Sequence, residues 1–242
     1  MEHEGSWAKK PNSRLESAVV MADLRQRVLE TVREDIYTSR LAPGERLDES
    51  QVMVRTGVSR SVVHQAVRDL SEQGWLTSAG DGCVVCVPSP EEAAEIDEVR
   101  RALEEVMVRR FIVLASDSQL RALHSAMITF EDLAELPPDP AALMWARDNF
   151  YGLLLRAAGV MATLDVLVKL RARIIVLMCA SLCLPGRARA AATEMRELYE
   201  ALADRDAERA VRASSTHLDR SYEAGFQALN AMRTPEGGQA QE

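Results

Sequence analysis

The chain has 242 residues, of which 47% are hydrophobic and 27% are charged, and its net charge is −8. These proportions are typical of a soluble globular protein and exclude a disordered or fibrous chain, while the length allows one large or two modest domains. Residues 1–90 hold 11 Lys/Arg against 13 Asp/Glu. Because neither half is basic, any nucleic-acid function must rest on local charge.

Two features of the sequence argue against a membrane protein. The N-terminal stretch MEHEGSWAKKPNSRLE is charged and lacks the apolar segment of a signal peptide. The longest apolar run, residues 174–184, is shorter than the ~20 residues of a membrane-spanning helix. We therefore expect a soluble, cytoplasmic protein without membrane contact. Cys83 and Cys86 have a zinc-like spacing, but in a strand they point to opposite faces, which favours small buried residues over a metal site.

The first 90 residues predict three helices and a hairpin. Residues 1–20 indicate a flexible arm, and from Leu24 apolar residues recur every four positions, as in a helix. Asp48 is a predicted N-cap of a short helix that stops at Gly57, and Ser59 is the predicted cap of the next helix. After Gly74, two β-prone stretches flank the sequence Ser-Ala-Gly-Asp-Gly, which predicts a β-hairpin.

The third helix has two different faces. Val63, Ala66, Val67 and Leu70 form an apolar stripe that is expected to pack on the first two helices. The opposite face presents Arg60, Ser61, His64, Gln65 and Arg68. Three helices followed by a hairpin are the arrangement of a winged helix-turn-helix, in which the recognition helix enters the major groove of DNA.

The run PGERLDES…TGVSRSVVHQAVRDLSEQGWL resembles the DNA-binding domain of the GntR family of bacterial transcription regulators, over about residues 24–87. The resemblance implies a double-stranded DNA operator as partner. The DNA-binding candidates are Ser59, Arg60, Ser61, His64, Gln65, Arg68, Gly80 and Gly82. His64 stands where the family has an arginine, Gln65 replaces a glutamate, and the wing tip 79–82 is Ala-Gly-Asp-Gly instead of a basic turn.

The second part of the chain is predicted to be helical throughout. Pro88-Ser89-Pro90 is a linker signal, which divides the chain into a domain at 21–88 and a domain at 91–232, with a disordered tail at 233–242. One face of the first long helix is predicted to carry Ile96, Val99, Leu103, Val106 and Arg110. Later segments are predicted at 117–134, 139–158, 161–183, 190–203 and 206–232. The expected fold class is mainly α, a winged helix-turn-helix with a small hairpin wing joined to an all-α bundle of six or so helices.

This second part resembles the helical effector domain of the FadR branch of the same family, known as the FCD type. The similar features are Arg100 with Glu104, Ala-Ala-Gly at 157–159, and the late segment ALADRDAERAVRASSTHL. Family members of this type hold a divalent metal through an Asp, a His four residues later and two further His. In this sequence Arg147, Tyr151 and Met195 occupy three of those positions. Because an arginine repels a cation, the departure predicts that no metal or other cofactor is bound.

Arg147 is predicted to take the place of the metal by pairing with an anionic ligand, beside Tyr151, Met195 and His217. The full set of effector-binding candidates is Arg100, Arg147, Tyr151, Arg173, Met195 and His217. Arg171 on the same apolar segment as Arg173 is a further possible anion partner. The alternative interpretation is that Arg147 lies at the surface and that the others fill the core.

The sequence therefore predicts a ligand-responsive transcription regulator. We expect a repressor that binds an inverted-repeat operator as a homodimer and is released by a small organic acid. Two alternatives are a metal-dependent regulator of the same family and a helical interaction protein with weakened DNA binding. An enzyme is disfavoured, because the sequence has four histidines and lacks a Ser/His/Asp spacing, a His-x-x-x-His motif and a phosphate loop.

Overall fold

The computed structural model of the chain describes residues 13–233. The N-terminal unit contains α1 (Ser13–Tyr37), α2 (Glu49–Thr56), α3 (Arg60–Glu72), β1 (Leu76–Ala79) and β2 (Gly82–Val85). The second unit contains α4 (Pro90–Leu114), α5 (Asp117–Glu135), α6 (Pro140–Ala158), α7 (Met161–Arg173), α8 (Ile175–Cys183), α9 (Arg187–Ala203) and α10 (Ala207–Arg233). The predicted fold class, a winged helix-turn-helix followed by an all-α bundle, is confirmed.

Local signals set the ends of the helices in the N-terminal unit. Asp48 is the N-cap of α2, and its carboxylate accepts the backbone N–H groups of Ser50 (2.8 Å) and Gln51 (3.3 Å). Gly57 ends α2 with a φ of +66°, a conformation that glycine adopts without a steric penalty. Ser59 occupies the N-cap position of α3, but its side chain makes no capping hydrogen bond.

The apolar stripe of α3 forms part of the core. Val63, Ala66, Val67 and Leu70 are all buried, as predicted, and α3 packs on α1 and α2. The two strands pair antiparallel, with Leu76 opposite Val85, and enclose a two-residue turn. This pairing holds the wing against the end of α3 and places its tip beside the outward face of that helix.

Part of the predicted N-terminal arm is helical. Residues 13–20, which were expected in a flexible arm, continue α1, because no glycine or proline interrupts the helix-forming sequence after Pro11. The remainder of the expected arm (1–12) and nearly all of the expected tail (234–242) lie outside the described residues. The chain leaves β2 at Val85 and enters α4 at Pro90, with Ser89 as N-cap. The domain boundaries 21–88 and 91–232 stay predictions.

The residues that the sequence places on one face of α4 differ in burial. Val99 and Val106 are each 48% exposed, whereas the buried face of the helix includes Ile96, Arg100 and Glu104. A hydropathy pattern misses this face because its central members are a buried ion pair.

The predicted helix 161–183 is also interrupted. It breaks at Ile174 into α7 and α8, although no glycine or proline marks the position. In the part of the chain that the structure describes, no single helix is both long and apolar enough to cross a membrane. The pair α8 and α9 reaches that length and composition only together, across a bend of 113°.

The C-terminal helix α10 closes the bundle by packing against α8, α9 and α4, while α5 packs on α6 and α9. A Cβ atom at Gly225 would lie 2.5 Å from the carbonyl oxygen of Leu177, so the close approach of α10 to α8 requires glycine there. The bundle core therefore brings side chains from α4, α6, α9 and α10 to a common centre.

Candidate functional site

The outward face of α3 is open to solvent. Arg60, Ser61, His64, Gln65 and Arg68 are all exposed, as predicted. Nδ1 of His64 lies 3.0 Å from Oε2 of Glu49 on α2, so a carboxylate accompanies the residue that replaces the family's arginine. Ser59 Oγ lies 3.2 Å from Ser61 Oγ at the start of the helix. This face therefore offers two exposed guanidinium groups, Arg60 at the helix N-terminus and Arg68 two turns later, and neither forms an ion pair within the described residues.

A groove of about 440 Å³ separates α3 from the tip of the wing, and both Arg60 and His64 line it. Gly80 has a φ of +61° and allows the tight turn of the wing. Gly82 lies directly against the Arg46 guanidinium, because a Cβ atom there would be 2.7 Å from Arg46 Nη2. All the predicted DNA-binding positions thus lie on α3 or on the wing beside it.

An ion pair that the sequence did not predict lines this groove. Nη2 of Arg46 donates to Oδ1 of Asp81 at 2.5 Å, and this contact holds the pKa of the Asp81 carboxyl below its usual value. Arg46 belongs to the Pro-Gly-Glu-Arg-Leu motif of the family resemblance, and this motif could have identified Arg46 as a residue of interest. The acidic wing tip therefore neutralises an arginine beside α3.

Replacement of Asp81 by asparagine is expected to strengthen DNA binding about fivefold. The change frees Arg46 for a phosphate and removes a negative charge from the wing, so log K should also fall more steeply with log salt, by about one unit. A salt series of gel shifts measures both quantities. Asp132→Asn, an exposed change of equal charge on α5, is the matched control. Equal affinities for Asp81→Asn and wild type would contradict an inhibitory wing tip.

The second candidate site lies in the centre of the bundle around Arg147. This residue of α6 is only 3% exposed, and its guanidinium carbon lies 4.7 Å from the ring centroid of Tyr151, one turn further along the helix. Its Nη1 also donates weakly to Sδ of Met178, at 3.9 Å. Among the described residues, no carboxylate lies within ion-pair distance of Arg147. The surface interpretation of this arginine is therefore wrong.

Two neighbouring arginines are paired. Nη2 of Arg100 donates to Oε1 of Glu104 at 2.9 Å, within α4. Arg171 of α7 stacks over the same Tyr151 ring, at 5.1 Å from its centroid, and donates to Asp148 at 2.5 Å. Since these two cations have their own carboxylates, the charge of Arg147 remains uncompensated.

The opposite wall of this cluster is formed by α9 and α10. Nδ1 of His217 lies 2.7 Å from Oε2 of Glu194, and the His217 ring is stacked 6.4 Å from that of Tyr151. Arg187 also donates to Glu194, at 2.9 Å. Met195 is fully buried on α9, beside Glu194 in the chain. The imidazole is thus held in place by a carboxylate through one nitrogen.

Several polar atoms of the cluster lack a hydrogen-bond partner in the described structure. They are Tyr151 Oη, His217 Nε2, Arg100 Nε and Arg171 Nε. Burial and the nearby Arg171 lower the pKa of Arg147 to about 10, so it is still charged at neutral pH. Burial raises the pKa of Tyr151 to about 12 and lowers that of His217. The cluster therefore presents a fixed cation, a neutral hydroxyl donor and a neutral imidazole.

Arg173 does not belong to this cluster, which corrects the prediction for this residue. It is exposed at the end of α7, forms an ion pair with Glu92 and lies against Gly74 of the N-terminal unit. Two residues along a helix correspond to a rotation of about 200°, so Arg171 and Arg173 point in opposite directions. Of the two arginines that the sequence proposed on this helix, Arg171 is the one at the site.

The fold, the exposed face of α3 and the buried cluster around Arg147 are typical of one class of protein, a winged-helix transcription regulator with a helical effector domain. Residues 24–85 match the family model described as "Bacterial regulatory proteins, gntR family", and residues 95–220 match the FCD domain. The chain belongs to the GntR family and carries an FCD domain, as its motifs predicted.

Similar proteins agree with this assignment. The HTH-type transcriptional repressor RspR of Escherichia coli (strain K12) is 26% identical over 211 residues, which cover 83% of this chain and 88% of RspR. Among solved structures, E. coli McbR/YncC has a TM-score of 0.76 at 18% identity, covering 86% of this chain and 99% of its own. A GntR protein from Rhodococcus sp. RHA1 has a TM-score of 0.62 at 24% identity, over 86% and 98% of the two chains. The family model and RspR describe transcription regulators, and the two solved structures share the fold.

Proposed function

We propose that this regulator is a homodimeric repressor whose affinity for an inverted-repeat operator falls when a monoanionic organic acid binds at Arg147 without a metal. The observation that carries the ligand assignment is the buried, uncompensated guanidinium of Arg147. An isolated buried charge is unfavourable, and an anion with two acceptor oxygens would compensate it. The repressor role follows the name of its relative RspR.

The charges around Arg147 support a ligand with a single negative charge. Arg100 is matched by Glu104 and Arg171 by Asp148, so one positive charge is left over. A carboxylate could accept from Arg147, and the unpartnered Tyr151 hydroxyl offers a further donor. Met195, fully buried on α9 and next to Glu194 in the chain, is proposed to add an adaptable apolar side chain. These features suit a partly hydrophobic monocarboxylate better than a small hydroxy acid.

The residues present do not fit the divalent metal of the FCD type. Within the described structure, no group of three or more His, Cys, Asp or Glu side chains is arranged to hold a metal ion. The one histidine at the site, His217, already uses Nδ1 for Glu194, and the guanidinium of Arg147 would repel a cation. We therefore include no metal in the proposed mechanism.

Gel shifts with DNA from upstream of the protein's own gene test the proposal, with benzoate as the monocarboxylate probe. We expect benzoate to weaken the complex by a coupling of about 1–3 kcal/mol, or roughly 5- to 150-fold, and n-butylamine to have no effect. Elemental analysis of the purified protein should find no stoichiometric metal. Stoichiometric zinc, with a thermal stabilisation that EDTA reverses and Arg147→Ala retains, would instead support the metal-dependent alternative.

The proposed dimer is supported by an exposed apolar face of α4. Val99, Val106 and Val113 recur at seven-residue intervals, which places them along one side of the helix, and Val113 is 79% exposed. Large apolar side chains aligned in this way are typical of a helix that packs against a partner. A second copy of the chain would cover the face and hold two winged units for an inverted repeat.

Sedimentation at micromolar concentration is expected to detect a dimer that Val106→Glu dissociates, because the change places a charge in the middle of the apolar face. Leu136→Glu is the control, since Leu136 is also exposed but lies at the end of α5. A wild-type protein that sediments only as a monomer would contradict the proposed assembly.

A further inference from the structure

Tyr37, at the end of α1, lies at the junction between the two parts of the molecule. It is 1% exposed, and its ring meets the edges of Trp75 (5.6 Å) and of Trp145 on α6 (5.4 Å). Its hydroxyl donates to Oδ2 of Asp148, also on α6, at 3.0 Å. At this junction the N-terminal unit therefore contacts the effector bundle through aromatic rings and one partly buried hydrogen bond.

The same carboxylate reaches the effector cluster. While Oδ2 of Asp148 accepts from Tyr37, Oδ1 accepts from Arg171. The Arg171 guanidinium in turn stacks on the Tyr151 ring, which Arg147 also contacts. An unbroken chain of contacts thus links the proposed ligand site with the last turn of α1.

We propose that Asp148 is a switch residue that transmits the state of the effector site to the DNA-binding unit, by holding Tyr37 only while Arg171 neutralises its charge. The proposal rests on the proposed function, because it describes how occupation of the Arg147 site would be reported. It assigns to Tyr37, Asp148 and Arg171 a regulatory role that is distinct from ligand binding at Arg147 and from base contact by α3.

The physical reason is competition for Arg171. An anion beside Tyr151 would attract this guanidinium, whose Nε has no partner, away from Asp148. The Asp148 side chain is 33% exposed, so without its cation the carboxylate is expected to turn towards water. A pocket of about 170 Å³ between Trp75, Asp148 and Arg171 gives it room to move.

Movement of Asp148 would leave the Tyr37 hydroxyl buried without an acceptor. Burial and the neighbouring carboxylate raise the pKa of Tyr37 above its usual value, so the hydroxyl cannot adapt by losing its proton at neutral pH. A buried donor without a partner is unfavourable, and separation of α1 from α6 would restore its contact with water. Loosening of this junction would free the two winged units of a dimer from a fixed spacing.

Hydrogen–deuterium exchange of the full-length protein tests this switch without ligand or DNA. Arg171→Met is expected to raise exchange at residues 31–37 and 141–149 about tenfold, whereas Arg171→Lys, which keeps the charge, should stay within about twofold of wild type. In a Tyr37→Phe background the hydroxyl is absent, so Arg171→Met should change the same peptides by less than about twofold.

Tyr199→Phe provides the matched background, because Tyr199 stacks on His124 far from the junction in sequence and has no contact with Asp148 among the described residues. In the Tyr199→Phe background, Arg171→Met should still raise exchange at residues 31–37 and 141–149 about tenfold. An equal increase in the wild-type and Tyr37→Phe backgrounds, or no increase in either, would overturn the switch. If Arg171→Met does not fold, Asp148→Ala serves in its place, with the same dependence on Tyr37 expected.

The two proposals fail in different experiments. Absence of benzoate binding in calorimetry with the wild-type protein would refute the monocarboxylate proposal, whereas the exchange measurements contain no ligand and would still decide the switch. If both hold, Tyr37→Phe should bind benzoate like the wild type but lose the effect of benzoate on DNA affinity. Wild-type coupling in that variant would refute the switch alone.

Discussion

Replacement of Arg60 by alanine is expected to lower the affinity for the operator by about 1–3 kcal/mol, which is roughly 5- to 150-fold. Arg60 is the first residue of α3, is exposed and lines the groove beside the wing. Family relatives contact DNA from this position, and the other arginine of the groove, Arg46, is occupied by Asp81. Arg60 and Arg68 are therefore the two exposed arginines of α3 that can reach the DNA, and Arg60 is the one at the helix N-terminus.

Gel shifts or fluorescence anisotropy with DNA from upstream of the protein's own gene measure the effect. Arg121→Ala, which removes an exposed arginine from α5, should leave the affinity within about twofold of wild type. The melting temperature of Arg60→Ala should be unchanged, because the side chain has no buried contact to lose. Wild-type affinity in Arg60→Ala would refute the assignment of α3 as the recognition helix.

Arg147→Met and Arg100→Met are expected to change stability in opposite directions, although both remove a buried arginine from the same cluster. In Arg147→Met an uncompensated charge is replaced by a flexible apolar side chain, which should stabilise the fold by about 1–4 kcal/mol. In Arg100→Met the buried Glu104 carboxylate loses its cation, which should cost about 3–5 kcal/mol.

Thermal unfolding distinguishes the two cases, since about 1 kcal/mol shifts the melting temperature of a chain of this size by roughly 2–4 °C. Arg147→Met should also abolish the effect of benzoate on DNA binding. If Arg147 serves ligand binding and not the stability of the fold, the Arg147→Met variant should be more stable than the wild type and should not respond to the ligand. Equal destabilisation by the two substitutions would mean that Arg147 has a structural partner and is no ligand site.

The elements that could be predicted from the sequence are those fixed by neighbouring residues. The cap at Asp48, the stop at Gly57 and the apolar stripe of α3 each depend on positions within a few residues of one another. The same holds for the hairpin, whose turn residues lie between its strands. Family resemblance added the burial of Arg147, Tyr151 and His217, since the bundle geometry is shared even where the ligands have changed.

The features that could not be predicted depend on contacts between distant residues. The Arg46–Asp81 pair joins the segment before α2 to the turn of the wing, and the Tyr37–Asp148 bond joins the two halves of the chain. The burial of the Arg100–Glu104 pair on α4 also escapes a hydropathy pattern, because such a pattern assigns charged residues to the surface. Which of Arg171 and Arg173 points into the bundle depends on the rotation of α7 about its axis. The apolar composition of the segment does not specify this rotation.

The acidic wing tip also affects how such a regulator finds its site in a genome. Affinity for random DNA comes almost entirely from cations that displace counterions, and this chain has a net charge of −8 and ties Arg46 to Asp81. Few of its copies are then retained on non-specific sequence, so a larger share stays free in the cell. Occupancy of the operator is expected to follow the number of copies closely and to depend little on one-dimensional sliding.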